Sequence, residues 1–333
     1  MSQGARMDPK KALAPLAAAS VIAAGVVGTP VVQTAHARQV ALLADTAIFV
    51  GGTMLTTPSA QFAHTAADLF LRPLGFDVGD DASVCVIGSA GCDSALQVLT
   101  TPQLILQGHS SFAGAALIVQ AVEAEFAANP GAYDEEHPLW VFGYSQGATA
   151  GSIAMAQLAH NDVIPSGALH FVFIGDPSST TGVWSDPSGA TNTSDLYPLL
   201  NGFHTPNDAF TTTIYEFPGD PVADYASNSM LGLLWEHVMY LGLTPEEVAN
   251  HTFSTDGLIT NIDLSGDIDE FSTWISALTS GGLIESGVFV GLFNSIVEMI
   301  YNAFGKIEEF FTDWMGIDWG GVEDTLDYWF PPV

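Results

Sequence analysis

The residues of this 333-residue chain best arranged for chemistry centre on Ser145, in the run Gly143-Tyr144-Ser145-Gln146-Gly147. A serine hydroxyl is a poor nucleophile at neutral pH. It needs an imidazole to take its proton and a carboxylate to orient that imidazole. The G-x-S-x-G spacing supplies the serine's local setting. A short apolar run, residues 139–142, precedes it, and small and apolar residues of helical character, 146–159, follow. Strand, sharp turn and helix with a serine at the apex is the context of a nucleophile elbow. The serine there occupies a strained backbone position, and a side chain at Gly143 or Gly147 is expected to collide with the neighbouring strand or helix. Ala148, Ala150, Gly151 and Ala154 keep the helix thin enough to pack close to a sheet.

Chain order prunes the partners of Ser145. On α/β-hydrolase folds the order is serine, then Asp or Glu, then His. His64, His109 and His137 precede the serine. His160 falls at the end of the elbow helix, His170 early in a strand, and His204 before the best acid, which leaves His237 and His251. The acid belongs just past a strand, at the serine's edge of the sheet. Asp220 follows the strand-like run 211–217 and is the first choice, with Asp224 its close rival. Asp176, in Gly175-Asp176-Pro177, ends a strand one unit too early and reads as a turn residue. A histidine in an apolar stretch such as 231–241 is more often a hydrogen-bonded core residue, but the order and the short run from Asp220 favour His237 as the base, with His251 as fallback. The oxyanion of an acyl-transfer intermediate needs backbone donors from the residue after the nucleophile and from the loop after an early strand. Those positions are Gln146 and Thr53, the latter in Gly51-Gly52-Thr53.

The elements that must hold these residues are readable in outline. Residues 46–50, 104–107, 139–142, 168–174 and 211–217 read as strands. A helix over 59–71, capped by Ser59 and closed by Arg72-Pro73, and one over 112–128, capped by Ser110 or Ser111, separate the early strands. That alternation predicts an α/β-hydrolase fold: a mostly parallel sheet covered by helices on both faces, spanning 38–245. The polar stretch 178–209 is expected to lie over the sheet's carboxyl edge. From residue 246 a C-terminal helical cap, lid or extension is expected. It starts at Thr244-Pro245-Glu246-Glu247. An apolar run over 282–304 follows, interrupted by Glu285 and Glu298, and then a series of aromatics from Phe310 to Phe330.

Composition bounds the setting. Arg6, Lys10 and Lys11, the apolar stretch 12–32 and Ala35-His36-Ala37 read as a signal peptide over residues 1–37, cleaved after Ala37, with an uncleaved anchor as the rival. Its loss would leave Arg38, Arg72 and Lys306 as the whole basic complement, against all but one of the 37 acidic residues. So negative a surface repels phosphate backbones and excludes nucleic acid as a partner. In an exported chain the two cysteines, Cys85 and Cys92, suggest a local disulfide. Two thiols without nearby histidine do not fill a zinc shell, and neither metal nor cofactor is expected.

Taken together, Gly51-Gly52-Thr53, the G-Y-S-Q-G elbow, Phe173-Ile174-Gly175-Asp176-Pro177, the acid loop 216–224 and His237-Val238-Met239-Tyr240 resemble the PE-PPE domain over roughly residues 46–243. That family is a serine α/β-hydrolase group similar to cutinases, found in bacteria with mycolic-acid envelopes. The Gly219-Asp220-Pro221-Val222 segment is similar to the cutinase acid loop. The resemblance implies Ser145 as nucleophile, Asp220 as acid and His237 as base. It also implies an acyl ester or glycolipid as substrate, hydrolysed or used for acyl transfer in the cell envelope, with peripheral contact to envelope lipid. Two departures stand out: a signal segment takes the place of a PE or PPE module, and Asp176 stands where the family has asparagine.

Overall fold

The computed structural model describes residues 45–283, apart from Leu106, 186–199, 228–231, Leu234 and Asp267. The signal segment, the middle of the long polar loop and the C-terminal apolar and aromatic run from residue 284 lie outside the described residues.

In chain order the strands are β1 (Ala47–Val50), β2 (Val84–Val86), β3 (Leu96–Val98), β4 (Leu139–Tyr144), β5 (Leu169–Ile174), β6 (Thr211–Glu216), β7 (Thr252–Asp256) and β8 (Ile259–Asp263). The helices are α1 (Ala60–Ala66), α2 (Gln107–Ala128), α3 (Gln146–Asn161), α4 (Glu236–Met239), α5 (Pro245–Ala249) and α6 (Glu270–Thr279). The strands form one sheet in the order β2-β3-β1-β4-β5-β6-β8-β7. Every pairing is parallel except that of β7 with β8. This is the α/β-hydrolase architecture expected from the alternation of strands and helices.

Successive side chains of a strand point to opposite faces, and the buried central strands here divide their apolar residues between two cores. Phe49, Trp140, Phe142, Val172 and Ile174 pack on one side with α1, α4 and α6. Ile48, Val141, Phe171 and Phe173 pack on the other with α2 and α3. Tyr144 falls on the α4 face and so points toward the segment that carries His237. The elbow serine stands where β4 ends between these layers.

Several expected elements moved. Of the strand expected at 104–107, Leu104 and Ile105 are loop and Gln107 opens α2, and the strand beside β1 is Leu96–Val98. Gln103 takes φ 45°, which breaks an extended run, and Leu104 N donates to Ser110 Oγ at 2.8 Å. That serine therefore caps the loop, and α2 begins earlier, at Gln107. Ser59 does cap α1, accepting from Phe62 N at 3.1 Å. Thr244 and Glu247 form a capping box on α5. The sheet does not stop at 245. β8 pairs with β6 and β7 closes the edge, so the stretch read as wholly helical contributes two strands. Their hairpin turns at Gly257, whose φ of +60° suits the first central position of a two-residue turn. A disulfide joins Cys85, the middle residue of the edge strand β2, to Cys92 at the end of the turn that follows.

Candidate active site

Ser145 has φ 55° and ψ −119°, a conformation L-residues rarely adopt, and it holds this at the start of α3. The elbow survives because two glycines make room for it. A Cβ on Gly143 would lie 2.8 Å from Ala148 N, and one on Gly147 would lie 2.4 Å from Gly51 O. The first collision is with the elbow helix, the second with the end of β1.

The bent turn lifts the hydroxyl toward α4. Ser145 Oγ is 2.9 Å from His237 Nε2. His237 Nδ1 is 2.8 Å and 3.0 Å from the two carboxylate oxygens of Asp220. With Nδ1–H donating to the carboxylate, Nε2 is left to accept the Ser145 proton. Asp220 is fully buried, and His237 and Ser145 are nearly so, which strengthens these contacts by excluding water. Gly175 permits the close approach. Its φ is +54°, and a Cβ there would lie 2.9 Å from His237 Cε1.

The rival residues have other partners. Asp224 Oδ1 accepts from Ala226 N at 3.1 Å and closes the turn after the acid loop. Asp176 accepts from Ser178 N at 2.8 Å and Thr205 Oγ1 at 2.7 Å, and burial pushes its carboxyl up to about 6. It is a buried turn residue. His251 donates to Val248 O from Nδ1 at 2.6 Å, at the end of α5.

The loop after β1 passes directly against the serine, since a Cβ on Gly52 would lie 3.0 Å from Ser145 Cβ. It is braced from behind. Met54, at φ 69°, donates its N–H to Gln103 O at 2.8 Å, and Gln107 Nε2 donates to Thr53 Oγ1 at 3.2 Å. Gln146 opens α3, where the helix itself offers its N–H no acceptor. Among the described residues, neither that amide nor the Thr53 amide donates to a protein acceptor. The Gln146 side chain ties down the neighbouring loop by donating to Leu104 O at 3.1 Å. That loop carries Leu104 and Ile105, both more than half exposed. The arrangement can attack an acyl carbonyl, shuttle a proton and offer two amides to an oxyanion. A separate groove beside Glu216, about 440 Å³ and lined in part by Thr181, Phe253, Asn261 and Asp263, includes none of the three hydrogen-bonded residues.

Two tyrosines at the site were not singled out from sequence. The Tyr144 ring stacks on the His237 imidazole, with centroids 5.3 Å apart, and its hydroxyl donates to His237 O at 2.8 Å. The Tyr240 hydroxyl donates to Asp220 Oδ2 at 2.9 Å and accepts from Phe217 N at 3.0 Å. Burial, with the Asp220 charge adding to it, holds both phenols well above their ordinary range. The available signals were positional: Tyr144 immediately precedes the nucleophile, and Tyr240 follows His237 by three residues, one helical turn.

Comparison with known proteins places this geometry. The model of the PE-PPE domain matches residues 95–252, a span that includes Ser145, Asp220 and His237 but not the loop bearing Thr53. An uncharacterized PPE family protein of Mycobacterium tuberculosis, PPE28, is 29% identical over 236 residues, covering 65% of this chain and 32% of the relative. Esterase PE16 of the same organism is 26% identical over 222 residues, covering 62% of this chain and 38% of the relative. The chain thus spans about a third of the length of these relatives. Among solved structures, a cutinase-like protein from Cryptococcus sp. superposes with a TM-score of 0.38 at 19% identity, over 71% of this chain and 94% of that one. Over residues 95–252 this chain is similar to the PE-PPE domain, and its sheet has the α/β-hydrolase order.

Proposed function

We propose that this protein is a serine ester hydrolase that cleaves acyl esters through an acyl-enzyme. The observation that carries the reading is the unbroken hydrogen-bonded series from Ser145 Oγ through His237 to the buried Asp220 carboxylate, with the serine held at positive φ. In this reading Ser145 Oγ attacks the acyl carbonyl and its proton passes to His237 Nε2. Asp220 stabilises the imidazolium, and the amides of Thr53 and Gln146 receive the oxyanion. The leaving alcohol departs with the proton from His237, and water then releases the acid by the same steps in reverse. The exposed Leu104 and Ile105, on the loop bonded to Gln146, support an apolar acyl chain as the group held at the site. One relative, Esterase PE16, is named for the same reaction class. The disulfide is consistent with a further proposal, that the protein works outside the cytoplasm.

A fluorophosphonate probe tests the reading. Labelling of the wild-type protein, abolished in Ser145→Ala, is the expected result. Folded wild-type protein that takes no label would leave the fold as a non-catalytic scaffold. Products from an acyl donor, with and without a glycolipid acceptor, then distinguish hydrolysis from acyl transfer. The N-terminal sequence of protein recovered from the culture medium checks export and cleavage after Ala37.

A further inference from the structure

The Asp220 carboxylate has more than one holder. Oδ1 accepts from Val222 N at 2.9 Å, a bond made within its own loop. Oδ2 accepts from His237 Nδ1 at 2.8 Å and from Tyr240 Oη at 2.9 Å. His237 and Tyr240 are three residues apart in one helical segment, so both reach the same oxygen from the same face. The Tyr240 hydroxyl also accepts from Phe217 N, at the end of β6 where the acid loop begins, and its ring packs on Phe217 at 4.8 Å. One side chain therefore clamps the root of the acid loop, the carboxylate and the histidine segment together. Tyr240 is fully buried, and its phenol stays protonated throughout the working range, so the donor is always present.

We infer that Tyr240 is a positioning residue for the Asp220–His237 pair: its hydroxyl fixes the carboxylate oxygen that faces the imidazole and sets how much negative charge that oxygen presents to it. The inference rests on the serine hydrolase reading above. A second donor to the oxygen that faces the imidazole disperses its charge, so removing it makes the carboxylate a stronger partner for imidazolium while leaving it less well aimed. Those two consequences separate a positioning role from mere packing.

The test uses the purified full-length chain and a p-nitrophenyl acyl ester. Tyr240→Phe is expected to lower kcat about tenfold, the scale of losing one charge-assisted hydrogen bond, with KM within about twofold. The acid limb of its kcat/KM profile should move to higher pH. In an Asp220→Asn background the same substitution should have no further effect on kcat, since its target is gone. Replacing Tyr240 with 3-fluorotyrosine keeps the hydroxyl and the packing but makes a stronger donor, and should move the acid limb to lower pH. This arm decides the question if Tyr240→Phe does not fold. A folded Tyr240→Phe protein with unchanged kcat and pH profile, an equal loss in the Asp220→Asn background, or a fluorotyrosine protein with an unshifted limb would reduce Tyr240 to a core residue. Wild-type labelling at Ser145 by the fluorophosphonate keeps the two claims apart. Without it the hydrolase reading itself fails, whereas labelling with an indifferent Tyr240→Phe defeats only this inference.

Discussion

Replacing Asp220 by asparagine changes one atom in the buried network, and the structure says which way the amide must turn. Val222 N–H is a fixed donor to Oδ1 at 2.9 Å, whereas the Tyr240 hydroxyl that donates to Oδ2 can rotate to accept, so the asparagine oxygen stays at Oδ1 and no two N–H groups face each other in the buried site. The new NH2 group then occupies the place of Oδ2, 2.8 Å from His237 Nδ1. An NH2 at that distance favours Nδ1 as an acceptor, over the longer 3.0 Å contact of Nδ1 with the retained oxygen, and so puts the imidazole proton on Nε2. That nitrogen now donates toward Ser145 Oγ, 2.9 Å away, and has no lone pair to receive the serine proton. The wrong tautomer and the loss of a charge opposite the imidazolium together set the scale. A drop in kcat of about 10⁴, or about 5.5 kcal/mol in the barrier, is expected.

Asp224→Asn is the control. Its working contact is an oxygen accepting from Ala226 N, which an amide oxygen reproduces, so kcat should stay within about threefold. The assay is steady-state hydrolysis of a p-nitrophenyl ester by protein whose fold is verified by circular dichroism. Asp220→Asn protein that is folded and within about tenfold of wild type would refute the tautomer argument. A larger loss at Asp224 or Asp176 would move the acid to that residue.

Thr53→Val removes a hydroxyl that accepts from Gln107, on the loop that passes the serine at Gly52, while leaving the backbone amide in place. It should lower kcat about tenfold with little change in KM, less than the loss of a full oxyanion donor; an unchanged kcat would confine the residue's part to its amide. Glu216 should shape stability against pH. As a residue it is half-buried, but its Oε1 is enclosed and has no partner among the described residues. Burial pushes its carboxyl up to about 8, the charges of Asp176 and Asp220 adding to the rise against hydrogen bonds from Ser179 and Thr181. A carboxyl whose pKa rises on folding binds its proton more tightly in the native state, so stability falls as pH climbs from the ordinary glutamate value to about 8 and is level above it. His170, lowered to about 4 by burial, acts in the opposite direction, but only below its ordinary value of 6.5. Asp176, raised to about 6, contributes mainly below that value. Between pH 6.5 and 8, Glu216 therefore dominates among these three. Wild-type Tm should fall across that interval and the fall should flatten in Glu216→Gln, as differential scanning fluorimetry would record; identical slopes would assign the dependence elsewhere.

What the sequence reveals of the fold follows the distribution of apolar residues. β1, β4 and β5 are central, lie between two covering layers and read as nearly continuous apolar runs, and β6 reads as a run rich in β-branched residues, so their places were legible. β3 was not: three residues, Leu96–Val98, leave no period to detect, and the apolar run at 104–106 drew the assignment instead. β7 is exposed at every position and its sequence, TFSTD, has no inward face. It is a strand because β8 gives it a hydrogen-bonding partner, a cause that lies outside its own composition. The Asp256-Gly257 pair was a hairpin signal, but the flanking residues lacked the alternation that would have made it persuasive.

The candidate site divides along the same physical line. Ser145 was legible because its strain is created locally, by Gly143 and Gly147 within two residues on either side. Asp220 and His237 were legible because topology orders strand ends along a sheet edge, and chain order encodes topology. Tyr240 belongs to neither case. Its value depends on β6 delivering Phe217 N and Asp220 to the α4 segment, so its two hydrogen bonds span 23 and 20 residues and exist only once the sheet is built. Tyr144 is intermediate: its neighbour is the serine, but its partner is the His237 carbonyl, 93 residues away. Residues that perform the proposed chemistry can thus be nominated from motif and order. Those that aim them are chosen by contacts made across the fold, and for that reason the discriminating variants at this site are the tyrosine hydroxyls as much as the serine.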